Sequence, residues 1–302
     1  MNGAIDKPRI LITGGDGQLG WELANAFTSF GEVFAFDRAQ LNLADADAIR
    51  ARCREVKPAL ILNAGAYTAV DKAESEPDIA MQVNGIAPGI LAEEANRLDV
   101  PLIHYSTDYV FDGRSTTPYR EDDATAPQSV YGRTKLAGEN AVATTAKRYL
   151  VFRTSWLYGN RRQNFMLTML RLARERDELR IVGDQIGAPT WVRSVSQATA
   201  QCVKSMGANL HLNISIGIYH LTAAGQTSWA GFAAAILDGV VDATRRAKRV
   251  IPIPTADYPT PAKRPAFSVL ALDKISEASG IKPTEWGAQL EACLAERKHL
   301  KL

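Results

Sequence analysis

One tyrosine and one lysine lie four positions apart in this chain, at a spacing that suits proton chemistry. Tyr131 and Lys135 stand at the start of a predicted helix, so both side chains project from the same helix face. An ammonium group beside a phenol favours the phenolate, and we expect Lys135 to lower the pKa of Tyr131 from its reference near about 10. A tyrosine tuned in this way is a usable proton donor or acceptor.

Two hydroxyl residues precede this pair, at the end of the fourth predicted strand. Ser106 and Thr107 follow an apolar run that begins at Pro101. The carboxyl end of a central strand faces the ligand crevice of an open α/β sheet, where a hydroxyl group can hydrogen-bond a substrate carbonyl oxygen. Tyr131, Lys135 and this strand end therefore form a candidate catalytic group.

A glycine-rich turn near the amino terminus predicts a dinucleotide site. Gly14 can form the turn, Gly17 lets the backbone approach a pyrophosphate, and Gly20 allows the following helix to pack closely on the strand. The helix amino terminus supplies free N–H donors for the phosphates. The preceding strand, Arg9–Thr13, and an acidic residue at Asp37 complete the pattern and make it specific.

The residues after the second and third strands bear on the choice of cofactor. The Asp37 carboxylate can accept hydrogen bonds from both ribose hydroxyls of NAD, whereas the Arg38 guanidinium can pair with the 2′-phosphate of NADP. We expect either NADPH or NADH to be used. The small residues Ala64, Gly65 and Ala66, followed by Tyr67, would let the adenosine side of the cofactor lie against the backbone.

The elements that position these residues alternate between strand and helix. This alternation predicts an α/β fold, with a doubly wound parallel sheet of the Rossmann type and a smaller carboxyl-terminal substrate-binding lobe. We expect residues 1–155 to form the dinucleotide-binding domain and residues 156–302 mainly the substrate lobe, with a segment of about 190–220 returning to the first domain.

Three later segments receive more specific predictions. Helical spacing predicts one long helix from Ala80 to Leu98 and another from Val195 to Met206. The stretch from Ile251 to Pro265 carries too many prolines for regular structure.

Composition excludes several classes of function. With 35 basic and 33 acidic residues the formal charge is only +2, so we expect no nucleic-acid partner. No apolar run is long enough to cross a membrane and the start shows no signal sequence, which predicts a cytoplasmic protein without a membrane partner. The separated cysteines Cys53, Cys202 and Cys293 indicate inert thiols, the histidines show no metal-binding spacing, and His104 is interpreted as a packed residue.

Seven motifs in order resemble the dTDP-4-dehydrorhamnose reductases, a family of the extended short-chain dehydrogenase superfamily. The motifs are GGDGQLG, NAGAYTAVDKAE, STDYVFDG, YGRTK, RTSWLYG, GDQIGAPT and KRPAFSVL. The resemblance covers nearly the whole chain. It implies NAD(P)H-dependent reduction of the 4-keto group of a dTDP-6-deoxyhexulose to give dTDP-L-rhamnose, a precursor of cell-surface polysaccharide.

The resemblance also implies roles for individual residues. Thr107 would be the hydroxyl of the catalytic triad, Tyr131 the proton donor to the new oxygen, and Lys135 the residue that tunes Tyr131 and holds the nicotinamide ribose. The substrate-binding residues would be Thr107, Asp108, Tyr109, Trp156 and Arg264, the last beside the diphosphate. The cofactor-binding residues would be Gly14, Gly17, Gln18, Leu19, Gly20, Asp37, Arg38, Asn42, Leu43, Ala64, Gly65, Ala66, Tyr67, Tyr131 and Lys135.

The chain departs from the family pattern at three positions. Asn42 stands where a carboxylate is common, and Phe267 stands where an asparagine is common. Some members dimerise through magnesium bound to glutamates, which Glu22 and Glu296 could match, but Arg193 stands where another carboxylate is expected. A cation there opposes metal binding, so we expect no metal site, while a homodimer through another surface stays open.

Two other functions fit the same fold. A nucleotide-sugar epimerase would retain its cofactor tightly through turnover. A non-catalytic regulatory subunit would keep the fold without the chemistry, and the intact set of Thr107, Tyr131 and Lys135 argues against it.

Overall fold

A parallel sheet of six strands forms the centre of the protein, as seen in a computed structural model that describes residues 7–206, 209–240 and 244–299. The first six residues, part of the start predicted to lack a signal sequence, lie outside these ranges. The strands, in their order across the sheet, are β12 (Gly217–His220), β5 (Tyr149–Thr154), β4 (Leu102–Thr107), β3 (Leu60–Asn63), β1 (Arg9–Thr13) and β2 (Glu32–Phe36). Every pairing in the sheet is parallel, so the predicted doubly wound α/β fold is confirmed.

Helices cover both faces of the sheet. They are α1 (Gln18–Ala26), α2 (Ala46–Val56), α3 (Val70–Ala73), α4 (Pro77–Met81), α5 (Ala87–Leu98), α6 (Val130–Thr145), α7 (Phe165–Glu175), α8 (Val192–Gln201), α9 (Trp229–Asp238), α10 (Asp273–Ser279) and α11 (Trp286–His299). Side chains alternate along a strand, and Ile10 and Ile12 accordingly enter one core while Leu11 enters the other. The two cores hold helices against opposite faces, which explains why the strands are apolar at most positions.

The remaining strands are short and lie outside the central sheet. They are β6 (Leu157–Tyr158), β7 (Glu178–Val182), β8 (Ile186–Gly187), β9 (Thr190–Trp191), β10 (Val203–Met206), β11 (Asn209–Leu212), β13 (Thr227–Ser228) and β14 (Arg249–Ile253). They form pairs of strands in this part of the described chain. Since β12 lies in the central sheet, the chain returns there after the first 155 residues. The division into two domains stays a prediction.

Two predictions about local structure are wrong. The predicted helix to Met206 ends at Gln201, because Val203–Met206 pairs antiparallel with β11 and obtains its hydrogen bonds from that strand. The proline-rich stretch was predicted to be irregular, but its beginning lies in β14, where Pro252 pairs with Ile181. A two-stranded sheet has only edge strands, and an edge position tolerates a proline that cannot donate a hydrogen bond.

The predicted long helix from Ala80 to Leu98 is divided by one wide turn. A π-helical segment, Gln82–Ile86, separates α4 from α5. It contains Asn84, whose amide oxygen accepts a hydrogen bond from the backbone N–H of Tyr67 at 2.8 Å. The amide nitrogen donates to Thr134 Oγ1 at 3.2 Å. The π turn therefore joins the loop after β3 to helix α6.

Two further features concern the cysteines and the lengths of the helices. The cysteines predicted to be inert are free and buried, and burial raises the pKa of each thiol to about 12. Among the described residues, no helix has the length and apolar character needed to cross a membrane.

A buried ion pair between α6 and β5 is expected to dominate the stability of this region. Arg153 and Glu139 are 3% and 1% exposed and approach to 2.8 Å. We expect Glu139→Gln to lower the free energy of unfolding by about 3 to 5 kcal/mol, because it leaves a buried guanidinium without a counter-charge. Urea denaturation measures the change. The control is Glu178→Gln, which breaks the exposed pair with Arg249 and should cost less than about 1 kcal/mol; equal losses in both variants would contradict the expectation.

Candidate active site

The glycine-rich loop after β1 lies in close contact with the loop after β3. Gly14 has a φ of +68°, and a Cβ atom at this position would lie 2.7 Å from the Cα of Gly65. A Cβ at Gly20 would lie 2.1 Å from the carbonyl oxygen of Gly14. Helix α1 begins directly after Gly17, which offers no side-chain cap. The uncapped first turn and the bare backbone around it fit a pyrophosphate group.

The residues expected at the adenosine side lie around the same crevice. Asp37 accepts a hydrogen bond from the backbone N–H of Gln40 at 2.9 Å, and Arg38 is exposed. The Asn42 side chain accepts from the backbone N–H of Ala44 at 3.1 Å. Leu43 is buried beside the loop after β3, since a Cβ at Gly65 would lie 2.6 Å from its Cδ1 atom. The sequence motif after β2 therefore reaches the loop after β3.

The loop after β3 contains Ala64, Gly65, Ala66 and Tyr67, all partly buried. The Tyr67 hydroxyl donates to Glu76 at 2.6 Å, and this hydrogen bond is the main reason that the pKa of Tyr67 is raised.

A second segment, residues 160–164, contacts the glycine-rich loop. Asn164 Nδ2 donates to the side-chain oxygen of Gln18 at 3.0 Å. Arg162 forms an ion pair with Asp16. Leu19 lies next to Gln18 in the first turn of α1 and is buried in the core. Sequence reasoning did not anticipate this contact, because its partners lie 146 positions apart.

The candidate catalytic residues meet at the carboxyl end of β4. Thr107 is the last residue of that strand, and Tyr131 lies in the first turn of α6, which is capped by the Ser129 hydroxyl. Burial raises the pKa of Tyr131 to about 12, the nearby Asp108 carboxylate adds to the rise, and a hydrogen bond with Thr107 opposes it. The Tyr131 side chain is therefore a phenol, and not a phenolate, at neutral pH.

The Asp108 carboxylate is buried at this point and accepts hydrogen bonds from hydroxyl groups. Thr107 Oγ1 donates to one oxygen at 3.0 Å and Ser155 Oγ to the other at 2.9 Å. Burial raises the pKa of Asp108, while hydrogen bonds from Ser268, Ser155 and Thr107 oppose the rise. Ser155 and Ser268 were not among the predicted site residues, although both lie inside motifs that carry the family resemblance.

Lys135 lies near Tyr131 in sequence but is directed elsewhere. Its ammonium nitrogen Nζ is buried, donates to the carbonyl oxygen of Tyr105 at 2.6 Å and lies 3.3 Å from His104 Nε2. The prediction that Lys135 lowers the pKa of Tyr131 is wrong for this structure, because burial and Asp108 act in the opposite direction. Burial lowers the pKa of Lys135 itself to about 8, against the charge of Glu139.

Trp156 forms a stack with a second indole. Its ring lies parallel to that of Trp229, with centroids 3.5 Å apart. Gly187 covers the ring, since a Cβ there would lie 2.5 Å from Trp156 Cε2. Trp156 also has a left-handed backbone, with a φ of +46°. The indole is only half-buried, which leaves part of its surface open at the end of β5.

Arg264 lies in the proline-rich loop and is paired with Asp71, a residue of helix α3. Its Nη2 atom donates to Asp71 at 2.8 Å. This hydrogen bond lowers the pKa of Asp71. The Tyr109 ring contacts Tyr131 edge-on at 5.7 Å between centroids. Asp71 lies in the motif after β3, but its pairing over 193 positions gave no local signal.

Arg193 lies between the two glutamates considered as metal ligands. It donates to Glu22 at 3.0 Å and approaches Glu296 to 2.5 Å. The guanidinium thus supplies positive charge between these carboxylates. No group of three or more histidine, cysteine, aspartate or glutamate side chains suited to a metal ion occurs in the described ranges.

The indole stack provides a test of the site geometry. We expect Gly187→Ala to displace Trp156 from Trp229 and to cost about 1 to 3 kcal/mol of stability, because the added Cβ would lie 2.5 Å from Trp156 Cε2 and the indole must shift to accommodate it. Circular dichroism would show the loss of the coupled indole signal, and urea denaturation would give the stability change. Gly287→Ala is the matched control, since a Cβ there meets nothing within 4 Å. An unchanged indole signal in Gly187→Ala would contradict the packing described.

Comparison with known proteins identifies the relatives of this chain. The sequence profile described as the RmlD substrate binding domain matches residues 8–299. A dTDP-4-dehydrorhamnose reductase of Burkholderia thailandensis is 45% identical over 293 residues, covering 95% of this chain and 98% of the relative.

Solved structures agree with the sequence matches. A dTDP-4-dehydrorhamnose reductase of Clostridium acetobutylicum, 35% identical, superimposes with a TM-score of 0.86 and covers 97% of this chain and 100% of its own. The same enzyme of Bacillus anthracis, solved in complex with NADP, is 32% identical, with a TM-score of 0.86 and coverage of 96% and 99%. By profile, sequence and structure, this chain belongs to the RmlD family of dTDP-4-dehydrorhamnose reductases.

Proposed function

We propose that this chain reduces the 4-keto group of dTDP-4-dehydro-L-rhamnose to give dTDP-L-rhamnose, with NADPH or NADH as the reductant. The observation that carries the proposal is the half-buried side chain of Tyr131, a neutral phenol that hydrogen-bonds Thr107 at the carboxyl end of β4. It lies in a protein whose crevice fits a dinucleotide and whose relatives are named for this reaction.

The cofactor would bind across the loops after β1, β2 and β3. The pyrophosphate would lie on the first turn of α1, and the residues in contact would be Gly14, Gly17, Gln18, Leu19, Gly20, Asp37, Arg38, Asn42, Leu43, Ala64, Gly65, Ala66, Tyr67, Tyr131 and Lys135. When bound, the nicotinamide supplies the hydride that the carbonyl carbon accepts. The absence of side chains at Gly14 and Gly20 keeps the backbone open for this group.

Reduction of a ketone needs a proton at the oxygen, and Tyr131 is the group suited to donate it. With a pKa of about 12, the side chain carries its proton at neutral pH. A phenol with that pKa is a stronger acid than an ordinary alcohol, so proton transfer from Tyr131 to an alkoxide oxygen is favourable. Thr107 would hydrogen-bond the same oxygen after turning its hydroxyl from Asp108.

The substrate would bind where the proline-rich loop approaches the nucleotide-binding half. Asp108, Tyr109 and Trp156 would contact the sugar, and Arg264 would bind the diphosphate after releasing Asp71. A guanidinium suits a diphosphate because it donates several hydrogen bonds in a fixed plane.

The setting of the enzyme follows from the same proposal. We place it in the cytoplasm, where thiols stay reduced, in keeping with three free buried cysteines. The homodimer that the sequence leaves open stays a prediction.

The reaction is tested by nicotinamide absorbance with enzymatically prepared dTDP-4-dehydro-L-rhamnose. We expect absorbance to fall with this substrate and not with UDP-4-keto sugars. Tyr131→Phe should lower turnover by at least about 100-fold while the cofactor still binds, because it removes the proton donor. Tyr149→Phe, at the opposite end of β5, is the control and should keep full turnover. Tight cofactor binding without any reduction would instead favour an epimerase or a regulatory protein.

The choice between the two cofactors is tested at Arg38. We expect Arg38→Ala to reduce kcat/KM for NADPH by about tenfold, the effect of losing one charge-assisted hydrogen bond, and to leave NADH little changed. Arg249→Ala, at an exposed arginine of β14, should change neither. Equal losses with NADPH and NADH would show that Arg38 does not contact the 2′-phosphate.

A further inference from the structure

A chain of buried polar side chains runs under the crevice from the loop after β3 to Lys135. The backbone N–H of Gly65 donates to Thr13 Oγ1 at 2.9 Å, and the Thr13 hydroxyl donates to Asn63 Oδ1 at 2.7 Å. The amide nitrogen of Asn63 lies 2.9 Å from His104 Nδ1, and His104 Nε2 lies 3.3 Å from Lys135 Nζ. The four side chains are each 2% exposed or less. The loss of one of these hydrogen bonds would therefore leave a buried polar group without a partner.

The donor and acceptor roles in this series of hydrogen bonds are fixed by its first donor, the backbone N–H of Gly65. The N–H of Gly65 can only donate, so the Thr13 oxygen accepts from it and the Thr13 hydroxyl hydrogen is directed to Asn63. Asn63 consequently presents its oxygen to Thr13 and its NH₂ group to His104. If the amide were rotated by 180°, the Thr13 hydroxyl hydrogen would lose this acceptor in a buried position.

The same direction determines the tautomer of His104. Because Nδ1 accepts from Asn63, a neutral ring carries its hydrogen on Nε2, and this N–H is directed at Lys135. Burial and the nearby Lys135 both lower the pKa of His104, so the ring stays neutral. An N–H group facing an ammonium disfavours the ammonium, whereas the lone pair of a neutral amine can accept from it.

We propose that His104, held in its Nε2–H tautomer by Asn63 and Thr13, is a positioning residue that disfavours the charged form of Lys135. The inference rests on the proposed function, in which Lys135 and Tyr131 serve the same catalytic site. Lys135 can then give up and regain a proton near neutral pH.

Other charged groups near Lys135 do not provide this effect. Glu139, one turn further along α6, favours the charged lysine, and its carboxylate is already paired with Arg153 at 2.8 Å. Asp108, at the end of β4, acts on Tyr131. Of these neighbours and the Tyr105 carbonyl that Lys135 contacts, only His104 presents a hydrogen-bond donor to the amine.

The tautomer can be measured without reference to enzyme activity. Two-dimensional ¹H–¹⁵N NMR of the histidine side chains distinguishes the two neutral tautomers and the charged ring. We expect the His104 ring to be neutral with its hydrogen on Nε2. The signal is assigned by its loss in His104→Gln, or by elimination with glutamine at His211, His220 and His299 if that variant does not fold. A hydrogen on Nδ1, or a charged ring at neutral pH, would overturn the proposal.

The effect on Lys135 is tested by the pH dependence of kcat. In Asn63→Asp the carboxylate would take the hydrogen of Nδ1 and leave Nε2 as an acceptor that stabilises the ammonium. The pH profile of kcat should change with the protonation of Lys135, whose pKa is about 8. We expect Asn63→Asp to move this part of the profile to a pH at least one unit higher, which is a tenfold change in proton affinity.

The control for this measurement is Asn84→Asp. It places a carboxylate at another buried amide that contacts α6 but does not belong to the hydrogen-bonded series that ends at Lys135. It should move this part of the profile less. An equal shift in both variants would show a general charge effect, and loss of turnover with an unchanged profile would show a structural role; either result would overturn the proposal. If the proposed reaction itself is absent, the NMR measurement still decides the tautomer.

Discussion

The close contact between two backbone loops sets the geometry of the whole crevice. Gly14 and Gly65 approach so closely that a single added carbon would lie 2.7 Å from the opposing backbone. This approach brings the ends of β1 and β3 together, and it lets Thr13 reach both Gly65 and Asn63. The glycine motif therefore serves two purposes: it leaves room for a phosphate above the sheet and permits a hydrogen-bonded chain beneath it.

Local patterns in the sequence predicted the fold and most positions of the candidate site. The bounds of β1 and β3 were predicted to the residue, since each is a continuous apolar run bordered by turn residues. The partners of the site residues could not be predicted in this way. Asp71 pairs with Arg264 over 193 positions, and Lys135 contacts the carbonyl of Tyr105, so both contacts depend on tertiary structure and not on local spacing.

The direction of the Tyr131 pKa shows why residue type and spacing do not determine electrostatics. Tyr131 and Lys135 occupy one helix face, as expected, but the lysine nitrogen bonds to β4 while the phenol lies beside Asp108. Burial then penalises the phenolate of one residue and the ammonium of the other. Both pKa shifts are toward the neutral form, and a proton donor for a ketone needs its neutral form.

The bridge formed by Arg193 has a consequence for how the protein is made. Its partner Glu22 lies in α1, near the start of the chain, and its partner Glu296 lies in α11, near the end. During synthesis the amino-terminal half emerges first, and β12 is added to the sheet edge only when about three quarters of the chain is complete. Arg193 cannot contact both Glu22 and Glu296 until α11 has been synthesised. The complete bridge therefore forms late in folding.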